Sequence, residues 1–213
     1  KLKVTYYIRI IGGNLESLDG CPQFVSGHVF IRGNKLTSLH GAPKQVGKSF
    51  HCDSNKLTSL EGAPSIINGD FSCENNKLLN LIGGPTEVIG DFICCQNQLT
   101  SLEGAPRKVG RNFWCTDNKI KSLRGAPEEI GGFFSFDAKN LESLDGLPKA
   151  KTYIPGEALK KFDSEDELRS WFKVYKKEQK VKEMQDGKKL VGTLDTVTHQ
   201  NTGVGIPDDQ YGM

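Results

Sequence analysis

The sequence predicts a mainly β solenoid, in which short parallel strands stack into a curved coil and a helix closes the C-terminal end. Hydrophobic residues recur every 21 residues, glycine and proline recur with them at fixed offsets, and inward and outward positions alternate beside them. A unit of this length cannot bury an apolar face alone, so neighbouring units have to stack on one another.

Leucine-type residues set the repeat. Their first column contains Leu15, Leu36, Leu57, Leu78, Leu99, Ile120 and Leu141. A glycine and then a proline follow each of them at constant offsets, from Gly20 and Pro22 to Gly146 and Pro148. Because glycine tolerates positive φ and proline fixes φ without offering an N–H donor, each coil is predicted to turn at this Gly-x-Pro corner.

Between the corners, each coil is predicted to contain a short strand with one face inward. An apolar column from Val25 to Ile130 follows the corner, and two more columns lie two residues apart, as in a strand whose alternate side chains face inward. These two columns are Val29, Phe50, Phe71, Phe92, Phe113 and Phe134, then Ile31, Cys52, Cys73, Cys94, Cys115 and Phe136. Counting back one repeat reaches Ile8 and Ile10, which predicts an additional strand from Val4 to Ile11.

An asparagine column completes the repeat motif; its members are Asn34, Asn55, Asn76, Asn97 and Asn118. The unit Phe-x-Cys-x-x-Asn-x-Leu resembles the core of leucine-rich repeats over about residues 4 to 150. The resemblance implies a leucine-rich repeat-like curved solenoid whose asparagines turn inward and hydrogen-bond the backbone of adjacent coils. The short coil is similar to the bacterial effector type and to bacteriophage-encoded repeat proteins. It departs from the effector type in having Gly-x-Pro where that type has Leu-Pro.

Three parts of the chain follow from these patterns. Residues 1–150 are the predicted solenoid, with seven 21-residue coils plus the N-terminal strand; residues 151–185 are a capping region with a helix at about 164–184; residues 186–213 are a predicted flexible tail. Ser164 begins a capping box, and the apolar residues Leu168, Trp171, Phe172 and Tyr175 follow at helical spacing, which predicts that they cover the last coil. Sustained periodicity is absent after Gln185.

Composition excludes some classes of function. The 28 Lys and Arg residues against 26 Asp and Glu leave a net charge of +2, too close to balance for capture of nucleic acid or anionic lipid by overall charge. The sequence has no apolar run near the roughly 20 residues of a membrane-spanning helix, and its start does not resemble a signal peptide. We therefore expect a cytoplasmic protein without membrane contact, located in the host cytoplasm if a phage encodes it.

The cysteines and histidines predict no catalytic or metal site. Four cysteines share one inward column at about 4.8 Å between strands, which permits disulfides in principle, but cysteine packs well as a small apolar residue and we predict buried free thiols. Zinc sites usually contain C-x-x-C pairs, and the sequence has none. Strand alternation turns Cys95 outward, which predicts a reactive thiol, yet His51 lies two strands away, too far for a Cys-His dyad. We expect no enzyme activity, no metal and no cofactor.

The outward side of the strands is the predicted binding site, because members of the leucine-rich repeat family usually bind partners there. Asp70 with Asp91, and Asp53 with Glu74, place like charges on neighbouring strands, which costs stability when uncompensated. An apolar step beside them consists of Ile93, Trp114 and Phe133, and His51 shares its central column. The alternative is a solvated face on which neighbouring side chains cover Trp114.

The leading functional hypothesis is a protein-binding module that acts as an inhibitor or adaptor. The resemblance to phage and bacterial proteins implies an inhibitor of a host protein as one version. A structural component of a larger assembly, with the C-terminal tail ordering on a neighbour, is the alternative. A weaker alternative is nucleic-acid binding through the basic helix, supported only by Lys173, Lys176, Lys177, Lys180 and Lys182.

Overall fold

A computed structural model describes residues 6–158 and 160–200 of the chain, with side chains described up to residue 186. Parallel strands stack into a solenoid of about seven turns, and one C-terminal helix, α1 (Glu165–Gln200), follows it. The strands are β1 (Ile8–Arg9), β2 (Phe24–Val25), β3 (Val29–Phe30), β4 (Gln45–Val46), β5 (Phe50–His51), β6 (Ile66–Ile67), β7 (Phe71–Ser72), β8 (Glu87–Val88), β9 (Phe92–Ile93), β10 (Lys108–Val109), β11 (Phe113–Trp114), β12 (Glu129–Phe136) and β13 (Lys149–Pro155). The predicted fold class is confirmed.

Each coil contributes two short strands, so two parallel rows run along the solenoid. The front row contains β1, β3, β5, β7, β9 and β11, and the second row contains β2, β4, β6, β8 and β10. Strand β12 belongs to both rows and joins them into one sheet. Partners across the front row are one repeat apart, as in Phe50 opposite Phe71. Only the front row was predicted as strands; the second row corresponds to the apolar column from Val25 to Ile130.

The core lies between the rows and the leucine columns. All six residues of the predicted cysteine column are fully buried, and so are the phenylalanines of the adjacent column. The rings of Phe50, Phe71, Phe92 and Phe113 stack nearly parallel, with successive centroids 5.9, 5.4 and 5.1 Å apart. Offset ring stacking of this kind adds to the burial of apolar area, so the column stabilises each coil against the next.

Two backbone positions in each coil adopt positive φ. The corner glycines from Gly20 to Gly146 have φ between 82° and 96°, and a Cβ at Gly62 would collide with the carbonyl oxygen of Leu39. This confirms the predicted role of the Gly-x-Pro corner. A second set of positive φ values, which the sequence did not predict, occurs just before the asparagine column at Gly33, Ser54, Asn75, Gln96 and Asp117. The backbone strain at the non-glycine members is offset by the hydrogen bonds that the next residue makes.

The asparagine column is a ladder of hydrogen bonds inside the solenoid. The Asn76 Nδ2 group donates to the carbonyl oxygens of Cys73 and Glu74 in its own coil and of Cys52 in the preceding coil, at 3.0, 3.1 and 3.2 Å. Its Oδ1 accepts the N–H of Leu57 at 3.0 Å. The other four asparagines repeat these contacts, and all five are only 6–8% exposed. The predicted inward orientation is confirmed.

The solenoid closes at its C-terminal end with a strand that the 21-residue period does not predict. In β13, Tyr153 lies opposite Phe134, which is nineteen residues earlier instead of 21, so the shortened coil breaks the sequence period. Tyr153 is buried, and its backbone exchanges two hydrogen bonds with Phe162, at 2.8 and 2.9 Å. The Glu157 carboxylate accepts the N–H groups of Ala138 and Lys139, where the asparagine column has ended.

The chain divides into two compact units, Lys1–Leu168 and Arg169–Met213, and the boundary falls inside α1. The helix begins as predicted, because the Ser164 Oγ accepts the N–H of Glu167 at 3.3 Å. Its bounds run to Gln200 and include residues 165–184 of the predicted helix. Residues 201–213 of the predicted flexible tail lie outside the described residues.

The helix contains aromatic contacts of its own within the second unit. The rings of Trp171 and Tyr175, one helical turn apart, stack with centroids 4.9 Å apart. The Lys176 ammonium lies 5.9 Å from the centre of the Phe172 ring. No helix in the described part of the chain combines the length and the apolar character needed to cross a membrane.

The asparagine ladder predicts a specific loss of stability. We expect Asn76→Ala to lower the free energy of unfolding by about 1 to 3 kcal/mol, because it leaves buried backbone groups of two coils unpaired. Lys77→Ala, at the exposed neighbouring position, is the matched control and should change stability by less than about 0.5 kcal/mol. Urea denaturation measures both. Equal effects of the two substitutions would contradict the ladder.

Candidate functional site

The outward side of the front row, called the front face here, contains three columns of side chains. The first column is His28, Ser49, Asp70, Asp91, Asn112 and Phe133; the central column is Phe30, His51, Ser72, Ile93, Trp114 and Ser135; the third is Arg32, Asp53, Glu74, Cys95, Thr116 and Asp137. All eight residues of the predicted site lie in these columns. The front face therefore brings them onto one surface.

The apolar step is a compact aromatic contact. The Trp114 and Phe133 rings meet edge to face, with centroids 4.5 Å apart and planes at 87°. Ile93 pairs with Trp114 on the neighbouring strand. All three side chains are half-buried, so each presents an apolar surface to solvent while its position is fixed by its neighbours.

The first column makes a second hydrogen-bond ladder, which sequence reasoning missed. In this ladder a backbone N–H donates to the side chain that lies one repeat earlier in the same column. The bonds run from Asp70 to Ser49 Oγ at 3.1 Å, from Asp91 to Asp70 Oδ1 at 2.9 Å, from Asn112 to Asp91 Oδ1 at 3.0 Å and from Phe133 to Asn112 Oδ1 at 3.1 Å. A signal was present, because every member from His28 to Asn112 has a side chain with an acceptor atom close to the backbone. Asp70 and Asp91 therefore also hold the coils together.

The expected repulsion between Asp70 and Asp91 is compensated. The Arg111 guanidinium lies 3.7 Å from Asp91 Oδ1 and 3.9 Å from Asp70 Oδ1. The two preceding coils have Gly90 and Gly69 at the position of Arg111, so no intervening side chain separates the guanidinium from the carboxylates. Because Arg111 is 64% exposed, each ion pair contributes less than about 1 kcal/mol.

A second aromatic cluster lies toward the N-terminal end of the front face. The Phe30 ring lies between His28 and His51, at centroid distances of 5.4 and 5.1 Å, and the Arg32 guanidinium is 5.9 Å from its centre. Of this cluster, only His51 was among the predicted site residues. His28, Phe30 and Arg32 lie in the same three outward columns, so their positions in the repeat could have identified them.

His51 and Asp53 form a partly buried pair. The His51 Nδ1 atom is 3.9 Å from Asp53 Oδ1, which is beyond hydrogen-bond distance, and that oxygen is buried with no hydrogen-bond partner in the described part of the chain. Burial lowers the pKa of His51, and this effect exceeds the opposing attraction of Asp53. Glu74 follows Asp53 in the third column and is half-buried.

The neighbouring Ser72 lies opposite His51 on the adjacent strand. The 3.9 Å between His51 Nδ1 and Asp53 Oδ1 is longer than the hydrogen bond that orients a catalytic histidine. Within the described residues, no group of His, Cys, Asp and Glu side chains is arranged to hold a metal ion.

The cysteines are all free thiols. Cys52, Cys94 and Cys115 donate S–H bonds to backbone oxygens of the following coil, at 3.2 to 3.3 Å, and burial raises the pKa of all four inward thiols. Cys95 was predicted to be an exposed thiol, but it is buried. It is 8% exposed, lies 3.3 Å from Thr116 Oγ1, and burial raises its pKa as well. Neighbouring outward side chains cover a small residue between them.

Comparison with known proteins gives no relative: no protein-family profile matches the chain, and no curated sequence does. The front face itself is therefore the basis for assigning a function.

The cysteine environments predict the order of thiol labelling. In the native state, we expect Cys21 to react first, because it is the only cysteine that is half-buried instead of buried, although burial raises its pKa too. Cys95 should react more slowly, and the inward column only after unfolding. Mass spectrometry of labelled peptides measures the order, with Cys21→Ser as control. Rapid native labelling of Cys52 or Cys94 would contradict the inward column.

His51 predicts a loss of stability in mild acid. Its pKa in the folded chain lies below the usual value of about 6.5, so the unfolded chain takes up the proton first as pH falls. Its contribution to stability is therefore complete above that usual value and is lost as pH falls from there toward the lowered pKa. We expect His51→Gln to reduce the difference in unfolding free energy between about pH 7.5 and about pH 5.

If His51→Gln leaves the difference in unfolding free energy between the two pH values unchanged, burial of His51 is not its cause.

Proposed function

We propose that this chain is a protein-binding module of the leucine-rich repeat type, which recognises a partner through the front face and acts as an inhibitor or adaptor, not as an enzyme. The observation that carries the proposal is the edge-to-face pair of Trp114 and Phe133 beside Ile93 on the front face. A half-buried aromatic pair fixed on a rigid sheet is a typical binding anchor, because little conformational entropy is lost when a partner covers it.

Rigidity of the front face supports this assignment. The asparagine ladder fixes the backbone behind the face, and the ladder of the first column fixes its edge. Recognition residues on such a surface are already in place before the partner arrives, which reduces the cost of binding. The same asparagine contacts, in the motif Phe-x-Cys-x-x-Asn-x-Leu, support the leucine-rich repeat assignment.

Charge around the anchor favours a partner with a cationic side chain close to an apolar one. Asp70 and Asp91 flank the aromatic step on one side, and Glu74 lies across the face. Arg111 already neutralises part of this charge, and its exposed guanidinium can move aside when a partner's Lys or Arg approaches. A partner bound here would be occluded or held, which is the proposed mechanism. The bacterial or phage setting is supported by resemblance alone.

Trp114→Ala tests the anchor. Affinity purification from the producing organism with the wild-type chain identifies the partner, and surface plasmon resonance then measures each variant. We expect Trp114→Ala to weaken binding by about 2 to 4 kcal/mol, chiefly through faster dissociation. Leu79→Ala is the matched control, since Leu79 is an apolar residue 55% exposed away from the front face. An equal affinity of Trp114→Ala and wild type would overturn the proposal.

The acidic pair is tested separately from the anchor. We expect Asp70→Asn combined with Asp91→Asn to slow association and flatten its salt dependence, because charge at the rim mainly steers the encounter. Asparagine keeps an Oδ1 acceptor for the ladder of the first column, so the double variant should remain folded. An unchanged association rate at low salt would show that the pair takes no part in recognition.

A further inference from the structure

Four lysines of α1 lie on one side of the helix, namely Lys173, Lys176, Lys177 and Lys180. Their spacing places them within an arc of about 100° and along about 10 Å of the helix axis. Lys176 is half-buried and the other three are exposed. Lys182, which the sequence analysis grouped with them, lies on the opposite side of the helix. The helix therefore gathers four of the five lysines into one group, called the lysine row here.

The lysine row costs helix stability, because like charges three or four residues apart repel each other. A helix side that is only solvated usually relieves this repulsion with acidic residues at the same spacing. Glu183 is the only acidic residue three or four positions from any member of the row, and it forms no ion pair with Lys180. The exposed members of the row form no ion pair with any described residue. In the solenoid, by contrast, Lys108 is paired with Glu129 at 3.1 Å.

Binding to a lipid surface does not fit this helix. A helix of that kind inserts a continuous apolar side and carries basic residues beside it. Val174 and Val181 are exposed on one side of α1, but Glu178 lies between them on that side. Phe172, an aromatic residue of the type that such a helix inserts, is buried. The lysine row is thus suited to bind a partner by charge alone.

We propose that the lysine row binds the phosphate backbone of double-stranded DNA without preference for base sequence. An α-helix fits the major groove of DNA, which is about 12 Å wide, and lysines on one of its sides then reach the phosphates at the groove edge. The deep and narrow major groove of an RNA duplex does not admit a helix in this way. Lysine supplies a point charge for phosphate, and the row contains none of the Asn, Gln or Arg side chains that read base edges in pairs of hydrogen bonds.

Contacts of this type set the salt dependence of binding. Each phosphate neutralised contributes about −0.9 to the slope of log K against log salt, so four lysines give a slope of about −3 to −4. Between about 50 and about 200 mM salt the affinity should therefore fall about 100-fold. The site lies in the second unit and uses no residue of the front face, so this proposal and the proposed function can fail independently.

Fluorescence anisotropy of the full chain with a labelled DNA duplex of about 20 base pairs and mixed sequence tests the site. We expect the wild type to bind with the slope given above. The triple substitution Lys173→Gln, Lys177→Gln and Lys180→Gln should weaken binding at least about 10-fold at low salt and reduce the slope by about 3. Glutamine keeps a high helix propensity, so the circular dichroism spectrum should not change. If the triple variant loses helix content, Lys177→Gln alone decides, with an expected reduction of the slope by about 1.

A matched control changes the same charge on the solenoid. Lys35, Lys56 and Lys77 are exposed and occupy one column of the repeat, and their replacement by Gln should leave binding unchanged. Equal losses in the two triple variants would show an effect of overall charge and overturn the proposal, as would a loss confined to the solenoid variant. A wild-type chain that does not bind the duplex at low salt also overturns it. Tighter binding to the single strand, or to vesicles that contain phosphatidylserine, would assign the row to another partner.

Discussion

The structure depends on one constraint: each coil buries backbone polar groups that no strand partner reaches. An asparagine after each of the five front strands β3, β5, β7, β9 and β11 meets this need, because its amide carries a donor and an acceptor on one short side chain. The Nδ2 group of Asn76 donates to backbone carbonyls of two coils, and its Oδ1 atom accepts the backbone N–H of Leu57. Contacts that span two coils hold only if every coil has the same length. The constant 21-residue period, the parallel register and the alignment of the outward columns all follow from this requirement for coils of equal length.

The sequence predicted those parts of the fold whose residues recur in register. Columns of Leu, Phe, Cys, Asn and Gly identified the core, the front row and the corners, because each column has a physical requirement that few residue types meet. It did not predict β13, since the coil before Tyr153 is shorter and falls out of the period. It did predict the start of the helix, because the Ser164 Oγ accepts the N–H of Glu167 as the capping box requires.

The candidate site was predicted in position but not in detail. The 21-residue spacing and the alternation of side chains along a strand placed all eight residues on one face, whereas their interactions depend on residues outside the motif. The Asp70 and Asp91 pair looked repulsive because Arg111 lies in a column that contains Lys48 and otherwise glycine, so the 21-residue period does not predict an arginine there. Cys95 looked exposed because strand alternation gives the direction of a side chain but not the size of its neighbours.

These contacts restrict which residue types some columns of the front face can hold and leave other columns free to vary. In the first column a side chain must accept the N–H of the following coil, which restricts it to short acceptors such as Ser, Asp and Asn. From Phe30 to Trp114 the side chains of the central column do not have to accept such a hydrogen bond, and they differ widely in size and polarity from coil to coil. Substitutions in the central column change the surface without disturbing either ladder. If the proposed binding module recognises a partner through this face, its specificity is therefore expected to reside mainly in the central column, because the acidic side chains of the first column are already hydrogen-bonded to the backbone.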